Sequence, residues 1–94
     1  GCICALSEGR HMRRNYEGAL TVLEGIVDPP YYIWLMRAAN LARLGRADGA
    51  RQIVDGAPAG FDLKRFARSE ARMCAVPEDA EHWLESFRMA GVGV

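Results

Sequence analysis

Stretches of alternating apolar and polar residues, long enough to make a strand, are absent from this chain. β-branched residues are sparse, so a sheet has little to be built from. No apolar run approaches the roughly 20 residues of a membrane-spanning helix, which excludes the bilayer as a solvent. Net charge is missing too: twelve basic and twelve acidic side chains cancel, giving neither nucleic acid nor an anionic membrane a reason to bind. The three cysteines are an odd number without the spacing of a disulfide scaffold, and they read as reduced thiols of a cytoplasmic protein. The glycines at 45, 49, 56, 60, 91 and 93 are scattered, not gathered into a phosphate-binding loop. Ser7, Ser69 and Ser86 lack the context of a nucleophile elbow.

What is present is helix former: Ala, Leu, Arg, Glu and Met fill a chain of 94 residues, enough for one small domain. Asn15 is placed to cap a helix carrying Tyr16, Ala19, Leu20, Leu23 and Ile26/Val27 on one stripe, stopped by Asp28-Pro29-Pro30. A second helix is predicted over 31–44, with Trp34, Ala38 and Leu41/Ala42 along one side and Gly45 as its left-handed stop. A third over 47–57 turns Ala50, Ile53, Val54 and Ala57 inward. Asp62 caps a fourth over 63–72 with Leu63, Phe66 and Ala67 inward. Pro77 opens a last helix whose buried face is Ala80, Trp83, Leu84 and Phe87, closed by Gly91. Residues 2–12 are expected to form a further helix at the start.

The helix pairs recur with a period. Ala19 and Ala50 stand 31 residues apart, near the 34 of a helix-turn-helix repeat. Across 31–62, Trp34, Ala38, Leu41, Gly45, Ala50, Val54 and Ala57 fall in the large, small, large, turn, small, large, small order of a tetratricopeptide repeat, which the segment resembles. Arg37 departs from the pattern where leucine is usual, and Asp62 where proline is usual. Residues 60–91 are similar to the closing segment of repeat regions in bacterial class III adenylate cyclases and related signalling proteins. The resemblance implies an all-α fold of antiparallel helix pairs in a short superhelix. Residues 1–30 would be a partial first repeat, 31–60 a second and 61–94 capping helices. It further implies a protein-interaction or assembly module at the end of a larger signalling protein. Eleven arginines against one lysine fit a GC-rich bacterial source. A purely structural cap of a longer array is the alternative reading, and a small helical enzyme or metal protein a second.

Metal and catalysis have little support in the residues. Cys2-x-Cys4 with Cys74, His11 and His82 does not match the usual two-to-four-residue ligand gap. His82 is read as a surface histidine, with Ser86 a mere helical neighbour. No catalytic, cofactor or metal residue is therefore assigned. For partner binding, the positions that project into the groove of tetratricopeptide proteins hold Leu35 and Ala39, with Tyr32, Ala42 and Arg43 nearby. This apolar groove is expected to take a partner helix, a second copy or the chain's own last helices. Lys64, Arg65, Arg68 and Arg72 form a basic stripe, with the acidic helix 78–85 as its expected partner. The imbalance is regional: residues 37–72 carry a net +4 and residues 73–94 a net −3.

Overall fold

In the computed structural model, residue 11 and residues 14–74 and 76–94 are described. Among the described residues, five helices follow the start and stop signals of the sequence: α1 (Tyr16–Glu24), α2 (Tyr31–Arg43), α3 (Ala47–Asp55), α4 (Leu63–Arg72) and α5 (Pro77–Ala90). No strand occurs among the described residues, and the fold is all-α. The helix expected over 2–12 lies outside the described residues, apart from His11.

The caps explain the boundaries. Asn15 accepts a hydrogen bond from the Gly18 N–H at the start of α1, and Asp62 accepts one from the Arg65 N–H at the start of α4. Pro77 takes the first turn of α5, where its missing N–H costs no hydrogen bond, and Glu78 and Asp79 complement the helix dipole. Gly45 and Gly91 stop α2 and α5 at φ +78° and +107°. Each left-handed turn lets the next N–H reach back: Arg46 to the Leu41 carbonyl and Val92 to the Phe87 carbonyl, both at 2.9 Å. A Cβ at Gly91 would meet no neighbour, so the backbone alone opposes a side chain there. Gly91→Ala is expected to cost about 1–2 kcal/mol, lowering the thermal midpoint by several degrees in a calorimetric scan. An unchanged midpoint would show that the turn relaxes freely.

α2 is the hub. It packs against α1, α3 and α5, while α4 packs on α5 and α3 touches α5 as well. The core runs through Leu23, Ile33, Leu35, Met36, Trp83 and Phe87, with Ala38, Ala39, Ala50, Ala67 and Ala90 allowing close helix approach. Helices that are neighbours in the chain pack together, α1 on α2, α2 on α3 and α4 on α5. The last helix, however, reaches back to α2, and the extents of 31 × 27 × 26 Å describe a bundle closed on itself.

The rotation of α2 differs from the sequence reading. Ala38 is buried, but Trp34 is 39 % exposed and Leu41 only partly covered. Leu35, Ala39 and Ala42, expected along an open groove, are instead core residues at 0–4 % exposure. The cause lies in Tyr31–Ala42, which is apolar almost all round, so periodicity alone does not choose its inner face. Arg37 takes part in fixing the choice. It donates to the Leu23 carbonyl at 2.9 Å, tying α1 to α2, and its guanidinium lies 4.3 Å from the centre of the Trp34 ring.

Candidate interaction surface

The groove expected along Tyr32, Leu35, Ala39, Ala42 and Arg43 is closed from within. α5 packs on α2, and Leu35, Ala39 and Ala42 share one buried cluster with Trp83, Phe87 and Ala90. Tyr32 stays 41 % exposed, its ring centre 6.1 Å from that of Phe66. Arg43 is half-buried and belongs to a polar network between α2 and α5.

That network escaped the sequence reading. His11, Asn40 and Ser86 are completely buried, and His82 is 9 % exposed. The Asn40 amide nitrogen donates to the Met36 carbonyl at 2.9 Å, so its oxygen faces His11 and accepts from Nδ1–H at 2.7 Å. The other ring nitrogen of His11, Nε2, lies 2.8 Å from Ser86 Oγ. Arg43 donates through Nε to Ser86 Oγ at 2.8 Å and through Nη2 to the His82 carbonyl at 3.1 Å. Tyr16 OH lies 3.1 Å from His82 Nε2. Trp83 covers the cluster, its ring stacked at 4.0 Å on that of His11.

Burial lowers both histidines from their ordinary 6.5 to about 4, aided by the nearby Arg43 and Arg14 guanidiniums, so both rings are neutral at pH 7. With Nδ1 protonated, Nε2 of His11 is an acceptor for the Ser86 hydroxyl. Asparagine, histidine and serine in this order resemble a nucleophile relay, but Ser86 Oγ is fully covered and already accepts from Arg43. The arrangement satisfies buried polar atoms and joins α2 to α5. His82, expected on the surface, is part of it, and so is Asn40.

The basic stripe of α4 divides. Arg68 and Arg72 are exposed and line a groove of about 310 Å³ between α4 and α5, floored by Ala71, Ala80 and Leu84. Lys64 instead borders a separate hollow against Gly91–Gly93, and Arg65 stands in solvent. The expected pairing of this stripe with the acidic helix is not formed: Arg88 of α5 itself holds Glu81 at 2.6 Å and Glu85 at 3.2 Å. Among the described residues no carboxylate pairs with Lys64, Arg65, Arg68 or Arg72. Arg68 and Arg72 are one helical turn apart on one face, so both border the apolar floor without a counter-charge among the described residues.

Among the described residues, no group of three or more His, Cys, Asp and Glu is placed to hold a metal ion. Cys2 and Cys4 lie outside them. Cys74 is half-buried, its thiol 3.8 Å from the Glu70 carbonyl. No described helix is long and apolar enough to cross a membrane. No protein-family model matches this chain, and neither a curated protein nor a solved structure does.

Proposed function

We propose that this chain is a protein-interaction or assembly module of a larger bacterial signalling protein, without a catalytic site of its own. The observation that carries the reading is the α4–α5 groove, where Arg68 and Arg72 flank the apolar floor of Ala71, Ala80 and Leu84. Arginine beside a small apolar depression is the composition of interface anchors, because its planar fork binds carboxylates while its stem packs on apolar surface. The tetratricopeptide resemblance of residues 31–62 and the cyclase-like closing segment support the same reading. A structural cap would leave both arginines solvated and dispensable.

Arg68→Glu combined with Arg72→Glu tests the point. Both side chains are exposed and pair with no described carboxylate, so the helical circular dichroism and melting midpoint should stay close to the parent's. Cross-linking in the source cells, followed by mass spectrometry, should find α4–α5 cross-links to a protein chain in the parent and lose them in the double variant. Identical cross-links in both would show that the groove is no interface, and the structural-cap reading would replace this one.

A further inference from the structure

We propose that the polar seam between α2 and α5 is a recognition site for one neutral imidazole ring, filled in cis by the chain's own His11. The site is independent of the α4–α5 groove. Both nitrogens of the ring are read: Nδ1–H donates to the Asn40 oxygen at 2.7 Å, and Nε2 lies 2.8 Å from Ser86 Oγ. Three other rings enclose it. Trp83 stacks on it at 4.0 Å with 7° between the planes, Tyr16 stands across it at 5.1 Å and His82 tilts against it at 5.0 Å. His11 is completely buried in this enclosure.

The groups that read the ring come from elsewhere in the fold. Asn40 belongs to α2, Tyr16 to α1, and His82, Trp83 and Ser86 to α5, while His11 precedes all three helices. The seam thus holds His11 as it would hold a ligand. Its polar groups also have anchors of their own. The Asn40 amide nitrogen donates to the Met36 carbonyl, and Ser86 Oγ lies 2.9 Å from the His82 carbonyl and accepts from Arg43 Nε–H. Such anchoring keeps a site in shape when its occupant leaves.

The chemistry of the enclosure selects the occupant. Among the described residues the Asn40 oxygen has no donor other than His11, so a ring without an N–H leaves a buried acceptor orphaned. A cationic ring is refused. Burial lowers the titration of His11 to about 4, and His82, Arg43 and Arg14 add to the effect. The ligand class is therefore a neutral azole with an N–H donor and a nitrogen acceptor on opposite sides of the ring.

Removing the built-in occupant tests this. His11→Gly in the full chain frees the space of the ring and its Cβ, which 4-methylimidazole matches. At about pH 8.5, above the range in which imidazole titrates, 4-methylimidazole should bind with a dissociation constant on the order of 1 mM. At about 10 mM it then favours the folded variant about elevenfold, read as a higher thermal midpoint in scanning calorimetry. The parent, its site filled, should not respond. The isostere 4-methylthiazole has no N–H and should bind at least about tenfold more weakly. If His11→Gly is unfolded by itself, 4-methylimidazole should refold it, seen in tryptophan fluorescence, and 4-methylthiazole should not. A variant that 4-methylimidazole neither stabilises nor refolds overturns the proposal. Equal stabilisation of parent and variant overturns it too, and so does equal binding of the thiazole, which would mean a cavity open to any ring.

Discussion

Trp83→Ala should remove on the order of 3–5 kcal/mol of stability, and Trp34→Ala should remove no more than about 1. The two tryptophans sit in opposite surroundings. Trp83 is 2 % exposed, stacks at 4.0 Å on His11 and at 5.5 Å on Phe87, and belongs to the cluster that joins α5 to α2. Its truncation opens a large cavity and strips the cover from a buried polar network, so water reaches His11 and Asn40. Against the 5–15 kcal/mol typical of small domains, that loss leaves a chain largely unfolded at modest temperature. Trp34 is 39 % exposed and gives up mainly its contact with Arg37. Urea titration of both variants checks the difference. Equal losses would mean that α2 is rotated about its axis relative to the arrangement described here.

Acid should begin to destabilise this protein above the range in which ordinary carboxylates titrate. His11 and His82 have their folded values lowered to about 4, chiefly by burial, while the unfolded chain titrates near 6.5. Between those values the unfolded chain binds more protons than the folded one. The stability of burying neutral rings is therefore complete above pH 6.5 and declines as pH falls toward 4. The charged groups around the pair act consistently: Arg43 on α2 and Arg14 before α1 oppose protonation of both rings, and Asp79 on α5 partly offsets this at His82. For the fully buried His11 the loss across the window is on the order of 3 kcal/mol, taking 1.36 kcal/mol per unit. Unfolding in urea at about pH 7.5 and pH 5 should show a clear drop for the parent. Replacing His11 with Gln should flatten the dependence while lowering stability at neutral pH. Equal stability at both pH values in the parent would show that the rings do not stay neutral as the fold is approached.

The helices themselves were legible because their signals are local. Asn15, Asp62, Pro77, Gly45 and Gly91 act within a few residues of themselves, and each marks the boundary it was expected to mark. Inner faces were legible where polar residues interrupt the apolar stripe. α3 buries Ala50 and Val54, and α4 buries Ala67 against a wholly exposed basic side. They were not legible in α2, where Trp34 and Leu35 are adjacent and equally apolar, and the choice falls to α1 and α5 packing from outside. The polar network was hidden for a different reason. Burying Asn40, His82 or Ser86 is unfavourable for each residue taken alone. It becomes acceptable only when His11 arrives from 29 positions before Asn40 and 75 before Ser86. Arg68 and Arg72 were read as a stripe from their spacing, but only the docking of α4 on α5 gives them a floor.

Ser86 has a single hydroxyl hydrogen and two acceptors in reach, His11 Nε2 at 2.8 Å and the His82 carbonyl at 2.9 Å. With His11 neutral the hydrogen serves the ring. When the ring gains a proton, Nε2 becomes the donor, and a rotation of one C–O bond redirects the hydroxyl to the carbonyl. Arg43 Nε–H still has its oxygen to donate to, and the Asn40 oxygen still accepts from Nδ1–H. Protonation thus reverses the direction of one link in the chain and breaks none. What acid adds is a positive charge beside Arg43 and no orphaned donor, so the burden is Coulombic and desolvation in kind. The packing around Trp83 can persist while the charge accumulates, and neutralisation restores the original polarity of the chain by the same bond rotation.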